Sequence, residues 1–215
     1  MSKLLALAFA VMLGVFVVAS STAQELIDRI AARVENDIIL LSQVRALERY
    51  QMLVDGKSES DAQTLDRLID QWIVRNEADT AQFPRPSDAE ITRGVERVEK
   101  SFTSPEEYEE RRKQTGLSAA DVRSLVAAQL YLSNYLDSRF RPSAQVSAKD
   151  IDDFYEKAVV PRARARGQAP PSLEAAHDYI QEALVQRSIN EQADRWLNES
   201  RARVRVDKFL TEAAK

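Results

Sequence analysis

Cysteine is absent from the 215-residue sequence, histidine occurs once, and glycine only five times. Without cysteine there is no disulfide scaffold, iron–sulfur cluster, thiolate zinc site, thiol nucleophile or lipidated N-terminal cysteine. Gly14, Gly56, Gly94, Gly116 and Gly167 are scattered, so no glycine-rich loop cradles a phosphate, and neither ATP nor a dinucleotide is expected as cofactor. Positive charge is not in excess: the net charge is −4 and the isoelectric point near 5.3. That balance argues against a nucleic-acid partner held by bulk electrostatics. What is present is a globular composition, 44% hydrophobic and 30% charged, neither disordered nor collagenous.

The longest apolar run lies at the start. Met1-Ser2-Lys3 is followed by an apolar stretch from Leu4 to Ala19 and then Ser20-Ser21-Thr22-Ala23. The run of about 16 residues is shorter than the roughly 20 needed to span a bilayer. A charged start, a short apolar core and small residues before Gln24 define a secretory signal, residues 1–23, cleaved after Ala23. The expectation is export, most simply to a bacterial periplasm, with no integral membrane segment after cleavage.

After the signal the pattern is mainly α. Ile27 to Val34 is β-compatible, Asn36-Asp37 signals a turn, and Ile38 to Leu41 forms a second short strand. Ser42 is expected to cap a helix reaching Val54. A second helix, Asp61 to Ala78, carries an apolar stripe of Leu65, Leu68, Ile69, Trp72 and Ile73. Phe83-Pro84-Arg85-Pro86 breaks the chain. Four capping signatures follow: Ser87 to Glu90, Ser104 to Glu107, Ser118 to Asp121 and Ser147 to Asp150. In each, a serine oxygen satisfies an orphan backbone N–H and an acid suits the helix dipole. The helix opened by Ser118 bears Val122, Leu125, Val126, Gln129, Leu132 and Leu136 along one face. Pro161 to Pro171 reads as a linker rich in proline and arginine. A last helix runs from near Ser172 to Arg201, with Ala176, Ile180, Leu184, Ile189, Ala193, Trp196 and Leu197 inward. Val204-Arg205-Val206 alternates as a third strand would, pairing with the N-terminal hairpin so that the chain ends meet.

This order of elements resembles the SurA-like periplasmic chaperones, relatives of the parvulin-type peptidyl-prolyl isomerases. The residues that carry the resemblance run from Ile27-Asp28-Arg29-Ile30 through Val34-Glu35-Asn36-Asp37 to Leu41-Ser42, with Leu65-Asp66-Arg67-Leu68-Ile69-Asp70 as the second-helix motif. Pro86 to Ile91, Gly116-Leu117-Ser118 and Val146 to Ile151 match the later helix openings. The resemblance implies a helical chaperone domain over 24–160, completed by a helix and strand over 172–215. Family members commonly insert a parvulin domain of about ninety residues before the last helix. Here only 161–171 occupies that interval, and His177 stands alone where a parvulin site uses two histidines. The implied function is an ATP-independent periplasmic chaperone for unfolded polypeptides, outer-membrane proteins foremost, without isomerase activity. The alternative is a non-catalytic assembly subunit that binds one folded partner, or itself as a swapped homodimer.

Individual residues offer little chemistry. His177 lacks a converging ligand set, so no metal is expected. Glu106, Glu107, Glu109 and Glu110 open a solvated helix, and Arg162, Arg164 and Arg166 sit in the linker. Tyr50, Met52, Leu53, Phe102 and Tyr108 are the candidate client-binding residues, because tyrosine and methionine suit adaptable contact. Core filling is the competing role for each.

Overall fold

The structure is a computed structural model, described here over residues 28–210. The signal segment 1–23 and Ile27 of the first expected strand lie outside the described residues. The chain opens with β1 (Ile30–Val34) and β2 (Asp37–Leu40), followed by α1 (Leu41–Asp55), α2 (Asp61–Thr80) and α3 (Asp88–Glu99). Next come α4 (Pro105–Gln114), α5 (Ala119–Phe140), α6 (Ala148–Phe154), α7 (Val160–Ala165), α8 (Leu173–Arg201) and finally β3 (Val206–Lys208). The mainly α expectation holds, with one three-stranded antiparallel sheet ordered β2-β1-β3.

The two ends of the described chain meet in that sheet. Val34 pairs with Val206, Arg33 with Asp207 and Ala32 with Lys208. The third strand thus begins two residues later than the alternation suggested, after Val204. Glu35, in the hairpin turn, adopts a left-handed φ of 52°, which is uncommon for a residue with a Cβ. Its backbone N–H donates to the Arg205 carbonyl at 2.9 Å, and its carboxylate accepts from the Arg205 N–H at 2.7 Å. The returning chain therefore holds the turn that starts the fold. Arg201 donates to the Asp70 carboxylate and to the Asp66 carbonyl, and Lys208 donates to the Asp66 carboxylate. These partly exposed ion pairs contribute little each, about 0–1 kcal/mol. Burial of Ala31, Ala32, Val34 and Ile39 against Val44, Leu65, Ile69, Trp72 and Ile73 stabilises the closure more strongly.

Helix ends follow side-chain oxygens. Ser60, Ser87, Ser104, Ser118, Ser147 and Ser172 each accept from a first-turn backbone N–H. Ser42 does not act this way. α1 starts two residues earlier than a Ser42 cap implies, with Leu40 at the cap position, where the Leu40 N–H donates to the Gln43 side chain at 2.8 Å and the Ser42 N–H to the Asp28 carboxylate at 3.2 Å. With those orphan donors satisfied from other side chains, the Ser42 hydroxyl is left without a capping role.

The linker expected at 161–171 is also shorter. Helix continues through Ala165, because one wide turn, Tyr155–Val159, precedes Pro161 and relieves the clash of its ring with the preceding turn. Ile151, Ala176 and Ile180 form a core that ties α6 to the start of α8. A further core joins Val74, Ala78, Tyr131 and Tyr135 of α2 and α5, with Trp196 and Leu197 of α8 packed on it.

Gly94 on α3 is buried against α5. A Cβ there would meet Val126 Cγ1 at 2.6 Å and Leu130 Cδ1 at 3.0 Å. An open helix would gain about 1 kcal/mol from Gly→Ala, but overpacking opposes it by about 1–3 kcal/mol. Gly94→Ala is therefore expected to lower the urea midpoint; a rise would disprove the close α3–α5 approach.

The capping acids give a pH dependence. The Ser87 hydroxyl and N–H hold the Glu90 carboxyl below its ordinary range, and Ser118 and Ser147 do the same for Asp121 and Asp150. Depressed carboxyls stabilise the fold above their unfolded pKa and lose that contribution as the pH falls toward the folded value. A Ser87→Ala/Ser118→Ala/Ser147→Ala variant should show a shallower loss of stability between about pH 5 and pH 3 than the parent. Parallel pH curves in urea titrations would refute the caps as the source.

Candidate functional site

An open cleft of about 820 Å³ lies where α1, α2, α5 and α8 converge. Its walls share residues with the cores: Tyr50 and Val74 are core residues that also line the cleft, and Leu132, Leu136 and Leu197 pack on the core beneath it. α1 contributes Leu47, Tyr50, Gln51 and Val54, spaced three to four residues apart. α2 contributes Gln63, Arg67, Gln71 and Val74, a second stripe beside the core stripe of Leu65, Ile69 and Ile73. α5 offers Gln129, Leu132 and Leu136, and α8 offers Asp194 and Leu197. Val74 is buried, while Leu132, Leu136 and Leu197 are half-buried and pack together as the apolar floor.

The rim is polar and largely self-satisfied. Arg67 donates to the Glu59 carboxylate at 2.9 Å through Nε, and the Gln51 amide donates to the same carboxylate at 3.1 Å. That pairing pulls the Glu59 carboxyl below its ordinary range, Arg67 being the main cause. Asp70 is engaged by Arg201, so the cleft wall is tied directly to the clasp of the C-terminal segment. The loop after α1, Lys57 to Glu59, forms one lip.

Displaced carboxyls of the kind that acid–base chemistry needs do not converge here. Glu48 on α1 is pushed up by burial, with Arg45 opposing. It offers nothing to the cleft, since one oxygen accepts from Arg45 at 2.7 Å and the other is buried without a partner. Among the described residues no group of three or more histidine or carboxylate side chains is placed to hold a metal. His177 is exposed and lies 3.1 Å from the adjacent Asp178. Glu107 and Glu109 pair with Arg111 and Arg112 along exposed α4, and Arg162, Arg164 and Arg166 are solvent-facing.

The five candidate client-binding residues do not form one exposed surface. Tyr50, Leu53 and Tyr108 are buried in a core with Leu117, Val122 and Val126, and Phe102 packs against it. Phe102 stacks edge-on with Tyr108 at 5.5 Å between centroids. Their apolar area joins α1, α4 and α5 rather than facing solvent. Only Met52, 41% exposed, remains on the surface, beside Arg111. Tyr50 also reaches the edge of the cleft. The Gln71 and Val74 wall is masked in the sequence by the more strongly apolar stripe on the core face of α2. The i, i+4, i+8, i+11 run from Gln63 to Val74 is the signal that marks it.

The fold and cleft define a mainly α body, sealed by its own ends, with an open groove suited to binding. No family model matches the chain. It is similar to Chaperone SurA of Pseudomonas aeruginosa (strain PAO1), 28% identical over 137 residues, covering 60% of this chain and 33% of that protein. It is also similar to Chaperone SurA of Pseudomonas fluorescens (strain Pf0-1), 25% identical over 145 residues, 63% of this chain and 34% of that protein. The chain spans about a third of the length of the curated relatives it matches. These similarities support a distant relationship to SurA.

Burial separates the two roles weighed for the α1 residues. Leu53→Ala should destabilise the protein by about 2–5 kcal/mol, whereas Met52→Ala should stay within about 0.5 kcal/mol of the parent. Equal effects in chemical denaturation would contradict the packing described.

Proposed function

We propose that this chain is a nucleotide-independent chaperone that holds unfolded polypeptide segments in the cleft between α1, α2, α5 and α8. The observation that carries the reading is the cleft itself: a half-buried apolar floor, a polar rim and a volume within the roughly 300–1,000 Å³ of ligand-binding clefts. The distant similarity to proteins named Chaperone SurA supports the same class. In this reading the chain is exported, acts in a periplasm and takes outer-membrane proteins as clients. Residues 161–171, in place of a catalytic insert, leave a chaperone body with no isomerase activity.

Mechanistically, client aliphatic and aromatic side chains bury against Leu132, Leu136 and Leu197, while charged groups at the rim keep the loaded complex in solution. Open geometry favours weak, multi-point binding. Release follows when folding or membrane insertion of the client removes the free segment, because no nucleotide cycle drives it.

A second reading has its own observation. Ile30, Ile38 and Phe209, at 42%, 51% and 50% exposure, are large apolar residues of the small sheet and its border. They would suit an assembly subunit that docks one folded partner there.

Purified protein lacking residues 1–23 is expected to suppress aggregation of a urea-unfolded porin, followed by light scattering, at near-stoichiometric ratio. Leu132→Arg/Leu136→Ser should abolish suppression with the circular-dichroism spectrum retained. Failure of the folded parent to suppress, with capture of one folded partner instead, would favour the second reading and sink the first.

A further inference from the structure

The polar groups around the cleft are unequal in what they have left to offer. Arg67 is taken up by Glu59, Asp70 by Arg201, Gln51 by Glu59, and Gln63 by the cap of α2 at Ser60. Asp55, Lys57 and Asp194 at the outer rim are exposed and carry charge, and Ser58 is exposed beside them; the uncharged carboxamides beside the apolar floor are those of Gln71 on α2 and Gln129 on α5. Among the described residues neither carboxamide has a side-chain or backbone hydrogen-bond partner, and both line the cleft on elements that pack against each other. Gln71 is half-buried and adjoins Val74 one turn on; Gln129 lies one turn before Leu132. Each thus sits beside the apolar floor.

A carboxamide presents one acceptor oxygen and two donor hydrogens and carries no charge. It is the side-chain counterpart of the peptide group. An uncharged donor–acceptor pair gains no Coulombic preference for acidic or basic side chains, and it can match the N–H and C=O of any residue. An extended chain lying in the cleft turns alternate side chains toward Leu132, Leu136 and Leu197. Its main-chain groups then face the walls where Gln71 and Gln129 stand. Burying those main-chain groups without partners would oppose binding, so an apolar floor alone would not accept a peptide backbone well.

We propose that Gln71 and Gln129 form a main-chain clamp: two carboxamides that hydrogen-bond the peptide groups of an extended client segment while the floor takes its apolar side chains. This rests on the reading of the cleft as a polypeptide-binding site, and it adds that recognition there is of the backbone. The clamp makes binding indifferent to sequence apart from apolar content, which is what a holder of many unfolded chains requires.

The test uses a fluorescent nine-residue peptide of alternating leucine and serine, and the same peptide N-methylated at its serines to remove backbone donors. Binding is read by fluorescence anisotropy with the protein lacking residues 1–23. The parent should bind the methylated peptide about tenfold more weakly, as the loss of two net hydrogen bonds implies. Gln71→Leu/Gln129→Leu should bind both peptides with equal affinity. Gln129→Ala, at an exposed position that leaves packing intact, should lower the ratio to about threefold. An undiminished ratio in these variants would overturn the clamp while leaving the cleft reading in place. Absence of binding by either peptide to the folded parent would overturn both.

Discussion

Pairing of β3 with β1 brings residues more than 170 positions apart into register, and the remaining architecture is arranged around that closure. The strand from the far end of the chain completes the sheet, holds the Glu35 turn through Arg205 and is anchored to α2 through Lys208 and Asp66. Closing so long a loop carries an entropic cost that grows only logarithmically with length. The buried face of Ala32, Val34 and Ile39 on α2 is large enough to offset it. α8 is thereby fixed across α2 and α5, and the cleft has a fourth wall only because the chain returns.

The clasp and the cleft share residues, which couples folding to binding geometry. Arg201 engages Asp70 on the cleft wall, and Leu197 serves both the α2–α5 core and the floor, with Trp196 beside it on that core. Loosening the terminal strand would therefore shift the α8 wall before it unfolded the helices. The α6–α7 segment, by contrast, is tied to the beginning of α8 through its own core of Ile151, Ala176 and Ile180.

Under the proposed function this site works by adhesion. Arg67 and Asp70 on its wall are paired with Glu59 and Arg201, Asp55, Lys57 and Asp194 are exposed at the rim, and the carboxyl raised by burial, Glu48, faces Arg45 instead of the cleft. What the cleft offers a ligand is apolar area flanked by the neutral carboxamides of Gln71 and Gln129, with charged groups at the outer rim. Such surfaces bind by desolvation and backbone contact, with affinity set by how many weak contacts a flexible chain can make at once.

The amino-acid sequence alone determined the local elements. Serine-to-acid spacing at Ser87, Ser118 and Ser147 placed helix starts correctly, because a cap is satisfied within one turn and needs no distant partner. Alternation near Val206 also announced the closing strand to within two residues. Ser42 escaped this reading, since its N–H is satisfied by Asp28 fourteen positions away. Pro161 escaped it too, since a wide turn absorbs the ring. Only the tertiary structure decided which apolar residues face solvent: Tyr50, Leu53 and Tyr108 have the chemistry of a binding surface, yet α1, α4 and α5 bury them together. It likewise assigned Gln71 and Gln129 to one cleft, because their proximity arises from packing of α2 on α5 and exists in neither helix by itself.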